Sequence, residues 1–263
     1  MKSVEEIQEL EQMDASKFAV LLLGAPGTGK TTFSKSMHNF FDETVDRKHC
    51  MVNLDPANEN LVFEDGENGP ANTIDVRDLI TLEDAMEEFK LGPNGAMLYC
   101  IEFLLKNFQW LSDKMNTILL TKKCSYFIID MPGQVELYTN HQALKQIISR
   151  LQDEVGLRLV VVHMVDISYL YDRYRFLSAL TLSLTALINL EVPFLNFITK
   201  VDLLGQMGRP DMNLMFYHGT TYGLKYLFFG EYTEAEQTVI KKNFNHRYSR
   251  LTKSLCELLE NYQ

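Results

Sequence analysis

The stretch GAPGTGKT at residues 24–31, set directly after the apolar run KFAVLLL at 17–23, constrains the fold more than any other part of the chain. It matches G-x-x-x-x-G-K-[ST], a pattern that needs a buried strand, a tight loop and the start of a helix in immediate succession. The apolar run supplies the strand, since a near-continuous hydrophobic segment suits a parallel sheet covered on both faces. The glycines let backbone N–H groups curl round phosphate oxygens without interference from Cβ atoms. A helix expected from Lys30 to about Phe41 adds the positive end of its dipole. In this frame Lys30 reaches the β- and γ-phosphates, and the Thr31 hydroxyl is a ligand for Mg²⁺. Gly27, Thr28, Gly29 and Thr32 complete the phosphate-binding set.

Beyond this motif, strand and helix patterns alternate. Strands are expected at 50–55, 124–130, 158–166 and 193–199, and helices at 78–89, 96–115, 138–152 and 173–190. Residues 57–74 read as a loop, and KLGPNGAM at 90–97 as a turn between two helices. Alternation of this kind predicts an α/β fold of the P-loop NTPase class: a mostly parallel sheet flanked by helices on both faces. One domain over 1–263 is expected, with an N-terminal helical extension at 1–16 and a helical C-terminal part at 203–263. Ligands in such sheets bind at the carboxyl ends of strands.

Composition removes several alternatives. The net charge of −10 argues against a nucleic-acid or anionic-membrane surface. The four cysteines show no C-x-x-C spacing, so a zinc site or disulfide framework is not expected, and a reducing compartment fits. The acidic N-terminus lacks the apolar segment of a signal peptide. The longest apolar run, 176–190, is too short and too rich in Ser and Thr to span a bilayer. A soluble, cytosolic protein is expected.

Three further motifs fall at predicted strand ends. In DMPGQ (130–134), Asp130 is placed to hold Mg²⁺, Gly133 to offer its N–H to a γ-phosphate, and Gln134 to orient a water molecule. Glu136 is close enough in sequence to join a hydrogen-bond network around that water. In TKVD (199–202), the Asp202 carboxylate accepts two hydrogen bonds from the Watson–Crick edge of guanine, where adenine presents an acceptor. Lys200 can lay its stem over the base, and Thr199 precedes it. In NLDPANE (53–59), Asp55 either orients an attacking water or closes an Asx-Pro turn. The bland candidates are His38, His141 and His163, which are isolated and lack ligand spacing, and the Asp75-x-Arg77-Asp78 cluster, which reads either as a charge set at a helix start or as a phosphate contact. An aromatic-rich segment at 215–232 is expected to be core.

Taken in order, GAPGTGKTT, NLDPANE, DVRDLITLEDAMEE, LGPNG, DMPGQVELYT and TKVDLL strongly resemble the GPN-loop GTPases, over residues 17–262. Within that family NLDPANE and VHMVD look most like the second eukaryotic paralogue. The resemblance implies a GTP- and Mg²⁺-dependent hydrolase that forms homodimers or paralogue heterodimers across its nucleotides. It further implies a role in assembly and nuclear import of RNA polymerase II, with cytoplasmic localisation and shuttling to the nucleus. By motif match, Asp55, Gln134 and Glu136 form the network round the attacking water. Gly92, Pro93 and Asn94 are the loop inserted towards the partner subunit's phosphates. One departure is that no strand pattern follows TKVD, which leaves the base pocket open on one side or the chain incomplete. Two rival functions are a nucleotide-gated binding protein with incidental hydrolysis and an ATP-dependent kinase. TKVD and the lack of a basic lid argue against the second.

Overall fold

Strand β1 (Lys17–Leu23) occupies the interior of a six-stranded sheet of order β3-β2-β4-β1-β5-β6. The computed structural model describes residues 17–45, 48–58, 73–122, 124–207, 224 and 249–261. The other strands are β2 (His49–Asn53), β3 (Thr73–Asp75), β4 (Tyr126–Asp130), β5 (Leu157–Asp166) and β6 (Phe194–Thr199). β1 pairs in parallel with β4 and β5, and β2 in parallel with β3 and β4. The register places Leu22 beside Asp130 and Val162. Alternate β1 residues therefore face opposite layers. Leu22 packs with Met51, Ile128 and Val162, and Phe33 and Met37 of α1 (Lys30–Phe40) cover them.

The order of strands decides where a ligand fits. The connection from β1 runs towards β2, whereas the connection from β4 crosses back over β1 to β5. Right-handed crossovers put these two connections on opposite faces of the sheet, which opens a crevice between the carboxyl ends of β1 and β4. GAPGTGKT and DMPGQ leave from those ends.

The remaining elements are α2 (Leu82–Phe89), α3 (Pro93–Lys106), α4 (Phe108–Lys122), α5 (Glu136–Thr139), α6 (Gln142–Asp153), α7 (Arg173–Leu190), α8 (Leu204–Met207) and α9 (Ser249–Glu260). The chain divides into two compact units, residues 1–164 with 189–197, and residues 165–188 with 198–263. In the second unit Ile167, Leu170, Phe176, Leu177, Leu224, Cys256 and Leu259 form a buried cluster. Among the described residues no helix is long and apolar enough to cross a membrane, and the four cysteines are buried and form no disulfide.

Several sequence expectations are corrected. The helix expected at 96–115 is two, because Asn107 ends α3: its Nδ2 donates to the Phe103 carbonyl at 2.9 Å. The helix expected at 138–152 is α5 and α6, and the His141 ring starts α6 by accepting from the Ala143 N–H at 3.2 Å. The helix expected at 78–89 begins at Leu82, where Thr81 Oγ1 accepts from the Asp84 N–H. A short strand, β3, ends the segment read as a loop, so Asp75 is a strand-end residue. The opening Gly-Pro-Asn of LGPNG is the first turn of α3 rather than a turn before it, with Gly92 as N-cap and Pro93 at the first helical position, which suits its fixed φ and missing N–H. His38 is not isolated, since folding brings it against His49. The expected N-terminal helical extension at 1–16 and the aromatic segment 215–232, apart from Leu224, lie outside the described residues.

Candidate nucleotide site

The phosphate loop is shaped by its glycines. Gly27 and Gly29 take φ of 78° and 92°, the left-handed region where a side chain is strained. Gly24 is more constrained, because a Cβ there would lie 2.5 Å from the Met164 carbonyl oxygen. Thr28 is buried, and its hydroxyl donates to the Ala25 carbonyl at 2.9 Å, which ties the loop to itself. Thr28 and the glycines thus contribute backbone, while Thr32 is exposed on α1.

Lys30 is 7% exposed and donates through Nζ to the carbonyls of Gly24 at 2.9 Å and Ala25 at 3.3 Å. Burial lowers its pKa, and Asp130 and Asp55 act in the opposite direction, so both carboxylates lie within its field. Thr31 Oγ1 donates to Asp130 Oδ2 at 2.8 Å. The second oxygen of Asp130, Oδ1, is buried and has no hydrogen-bond partner. Burial pushes the Asp130 carboxyl up to about 6, against the Thr31 hydrogen bond and Lys30 and reinforced by Asp55.

Gly133 approaches the phosphate loop closely. A Cβ on it would stand 2.9 Å from Pro26 N and 3.1 Å from Lys30 Nζ. Next to it, Gln134 Oε1 is buried and has no hydrogen-bond partner. Asp55 lies two residues beyond β2 and is held by its own turn. Its Oδ1 accepts from the Ala57 N–H at 3.0 Å, and Asn53 brackets its backbone at 3.1 and 3.2 Å. Asn53 also donates to Asp75 Oδ1 at 3.2 Å, and Asp75 pairs with Arg77 at 2.6 Å. Burial raises the Asp55 pKa, opposed by the Ala57 N–H, Lys30 and Arg77. The turn reading and the site reading of Asp55 thus describe one arrangement: the turn aims the carboxylate towards the lysine.

One residue was missed. Asn58 Nδ2 donates to Thr31 Oγ1 at 2.9 Å and lies 3.4 Å from Asp130 Oδ2. Its proximity to Asp55 in NLDPANE was the available signal. The structure therefore gathers Lys30, Thr31, Asp55, Asn58, Asp130 and Gly133. It does not gather Glu136, whose exposed side chain makes no hydrogen bond to Asp55 or Gln134 among the described residues. Gly92, Pro93 and Asn94 are exposed, and Asn94 has no hydrogen-bond partner among the described residues.

In the second unit, Lys200 adopts φ 59° and its Nζ pairs with Asp166 at 2.7 Å. Burial works to raise the Asp166 pKa, but the Lys200 hydrogen bond and the Ser168 N–H outweigh it and lower it. Thr199 Oγ1 donates to the Val165 carbonyl, and Asp202 is exposed.

Chemically, the first unit offers a backbone cradle with a cation for an anion, beside a hydroxyl–carboxylate pair suited to a hard divalent ion. The unpartnered Asp130 Oδ1 and the neighbouring Thr31 hydroxyl fit Mg²⁺, which takes oxygen ligands.

Comparison with known proteins points to nucleotide binding. A family described as "Conserved hypothetical ATP binding protein" matches residues 22–263. GPN-loop GTPase QQT1 of Arabidopsis thaliana is 38% identical over 245 residues, covering 93% of this chain and 76% of that protein. GPN-loop GTPase 2 of Danio rerio is 39% identical over 246 residues, covering 94% and 72%. GPN-loop GTPase 3 of Saccharomyces cerevisiae is 39% identical over 189 residues, covering 72% and 65%. The crystal structure of a GTPase from Pyrococcus abyssi in its apo form shares the fold, with TM-score 0.65 and 23% identity over 91% of this chain and 84% of that one.

Proposed function

Because this chain belongs to the GPN-loop GTPases, we propose that it hydrolyses GTP to GDP and phosphate. The observation that carries the reading is the convergence of Lys30, Thr31, Asp130 and Gly133 between the ends of β1 and β4. The phosphate-loop N–H groups and Lys30 hold the β- and γ-phosphates. Lys30 would exchange its carbonyl partners for phosphate oxygens, which suits a lysine already desolvated. Thr31 and Asp130 would hold Mg²⁺, with Asn58 orienting the Thr31 hydroxyl; the ion, when bound, offsets charge on the β- and γ-oxygens.

Gly133 brings the DMPGQ backbone to the γ-phosphate position. The Gln134 side-chain oxygen, buried and unpartnered, accepts a hydrogen bond from the attacking water. The burial-raised carboxylate of Asp55 is the acceptor for that water's proton. The chemistry is positioning and electrostatic stabilisation, without a covalent intermediate. Asp202 reads guanine, and the Asp166 ion pair fixes the Lys200 stem alongside it.

The finer reading is that two chains form a homodimer, or one chain pairs with a paralogue. Gly92, Pro93 and Asn94 reach the partner subunit's phosphates, and the nucleotide state switches a cytoplasmic factor for RNA polymerase II assembly and nuclear import. Family membership and the exposed start of α3 support it.

Steady-state phosphate release with Mg²⁺ tests the chemistry. Gln134→Ala and Asp55→Ala are each expected to slow turnover at least about tenfold, with GTP preferred over ATP in competition. Unchanged turnover in both variants would remove the catalytic assignment, and an ATP preference would remove the base assignment.

A further inference from the structure

A second polar cluster stands away from the phosphate loop. His38 lies near the end of α1, Asp42 follows it at i+4, and His49 begins β2. His38 Nδ1 and His49 Nε2 are 2.6 Å apart. Asp42 places one oxygen 3.5 Å from His38 Nε2 and the other 3.8 Å from His49 Nδ1. One ligand atom from each residue lies within 4.8 Å of the others. The two rings meet at 62° rather than stacking. His49 is 4% exposed and rests against the ring of buried Phe41, whereas Asp42 is at the surface. The cluster thus has an apolar wall on one side and access from the other.

We propose that His38, Asp42 and His49 bind one zinc-class divalent transition-metal ion. Two imidazoles and a carboxylate form a ligand set that Zn²⁺ accepts, with bonds of about 2.0–2.2 Å. Tetrahedral ligands then stand about 3.3 Å apart. The His–His contact and the two Asp42 distances run to different ring nitrogens, so a set with one atom from each residue lies within 4.8 Å rather than at that spacing. Rotation of the half-buried His38 ring and the exposed Asp42 side chain closes that set to the tetrahedral spacing. Mg²⁺ and Ca²⁺ are disfavoured because they take oxygen ligands. Three protein ligands leave a fourth position for water.

The ion joins the end of α1 to the start of β2. His38 is seven residues beyond Thr31, about 10 Å along the helix. The ion therefore clamps the elements that lead to Thr31 and Asp55 without entering the hydrolytic site.

Zn²⁺ titration of the metal-free full chain, followed by calorimetry and by thermal melting, tests this. Wild type is expected to bind one equivalent and to melt higher with Zn²⁺. His38→Gln is expected to weaken that binding at least about tenfold and to lose the melting shift while keeping basal GTP hydrolysis. Asp130→Asn is expected to retain both binding and shift, which separates this site from the nucleotide site. Co²⁺ in wild type is expected to give visible bands that Zn²⁺ abolishes. Should His38→Gln not fold, Asp42→Asn at the surface replaces it. Equal Zn²⁺ affinity in wild type and the cluster variants, or loss of the equivalent in Asp130→Asn, overturns the proposal.

Discussion

At the scale of single residues, the site combines one position that tolerates no added atom with one carboxyl whose burial is only partly offset. Gly133 is the first. A Cβ there meets backbone atoms of Pro26 at 2.9 and 3.0 Å and Lys30 Nζ at 3.1 Å. The Pro26 atoms cannot swing away, so Gly133→Ala pushes the DMPGQ loop off the phosphate loop. A displacement of this kind is expected to cost roughly 10²-fold in turnover and about 1–3 kcal/mol in stability, measured by phosphate release and urea unfolding. Wild-type turnover would show that the loop relaxes without loss. Asp130 is the second. Its pKa rises from 3.8 to about 6 on folding, chiefly through burial. Between those values the folded chain keeps a proton that the unfolded chain has released. Stability therefore falls as pH rises from about 4 to about 6, by on the order of 3 kcal/mol, and stays lower above that range. Asp130→Asn is expected to melt roughly 2–8 °C above wild type at pH 7.5 in EDTA, to match it near pH 4, and to lose hydrolysis. An equal melting difference at both pH values would show that the gain has another origin.

At the scale of elements, α3 separates structure from chemistry along its length. Its interior is core: Ala96, Met97, Cys100, Ile101 and Leu104 are all buried. Its first turn is exposed, and Gly92 and Pro93 already supply a start that needs no side-chain cap. Asn94→Ala is accordingly expected to leave stability within about 0.5 kcal/mol and to slow GTP hydrolysis at least about tenfold. Matched melting curves and phosphate release check this, and an unchanged rate would make the stretch an ordinary helix start. The same elements show what sequence can and cannot specify. β1 and β5 are legible because each is a near-continuous apolar run that ends in a motif or on Asp166, α1 because the phosphate-loop motif starts it, and α7 because it is a long apolar run. The break at Asn107 is not legible, because apolar spacing continues across it while one side-chain hydrogen bond to Phe103 ends the helix. β3 is three residues long, and its pairing with β2, not its own pattern, makes it a strand. Lys30, Thr31 and Asp130 could be read from their motifs, since strand ends fix their positions. Asn58 and the His38–His49 contact could not, because each depends on which loops fold together.

At the scale of the whole molecule, the first unit offers a phosphate loop with a lysine, a hydroxyl and a carboxylate, while Asn94 is exposed and has no hydrogen-bond partner among the described residues. A symmetric dimer resolves this if each chain lends Asn94 to its partner's site, because an isologous interface uses the same surface twice. Two defective chains then become complementary. Lys30→Ala abolishes the phosphate site but keeps Asn94, and Asn94→Ala keeps the phosphate site but withholds the asparagine. Mixed in equal amounts under exchange, half the dimers combine one chain of each kind, and each such dimer contains one complete site. The mixture is expected to recover about a quarter of wild-type turnover, well above the average of the two variants measured alone. Light scattering of the wild type with a non-hydrolysable GTP analogue is expected to give about twice the chain mass of 30.4 kDa. Dimers without recovery would place Asn94 in the chain's own site or outside the reaction. Monomers with full turnover would remove the shared site altogether.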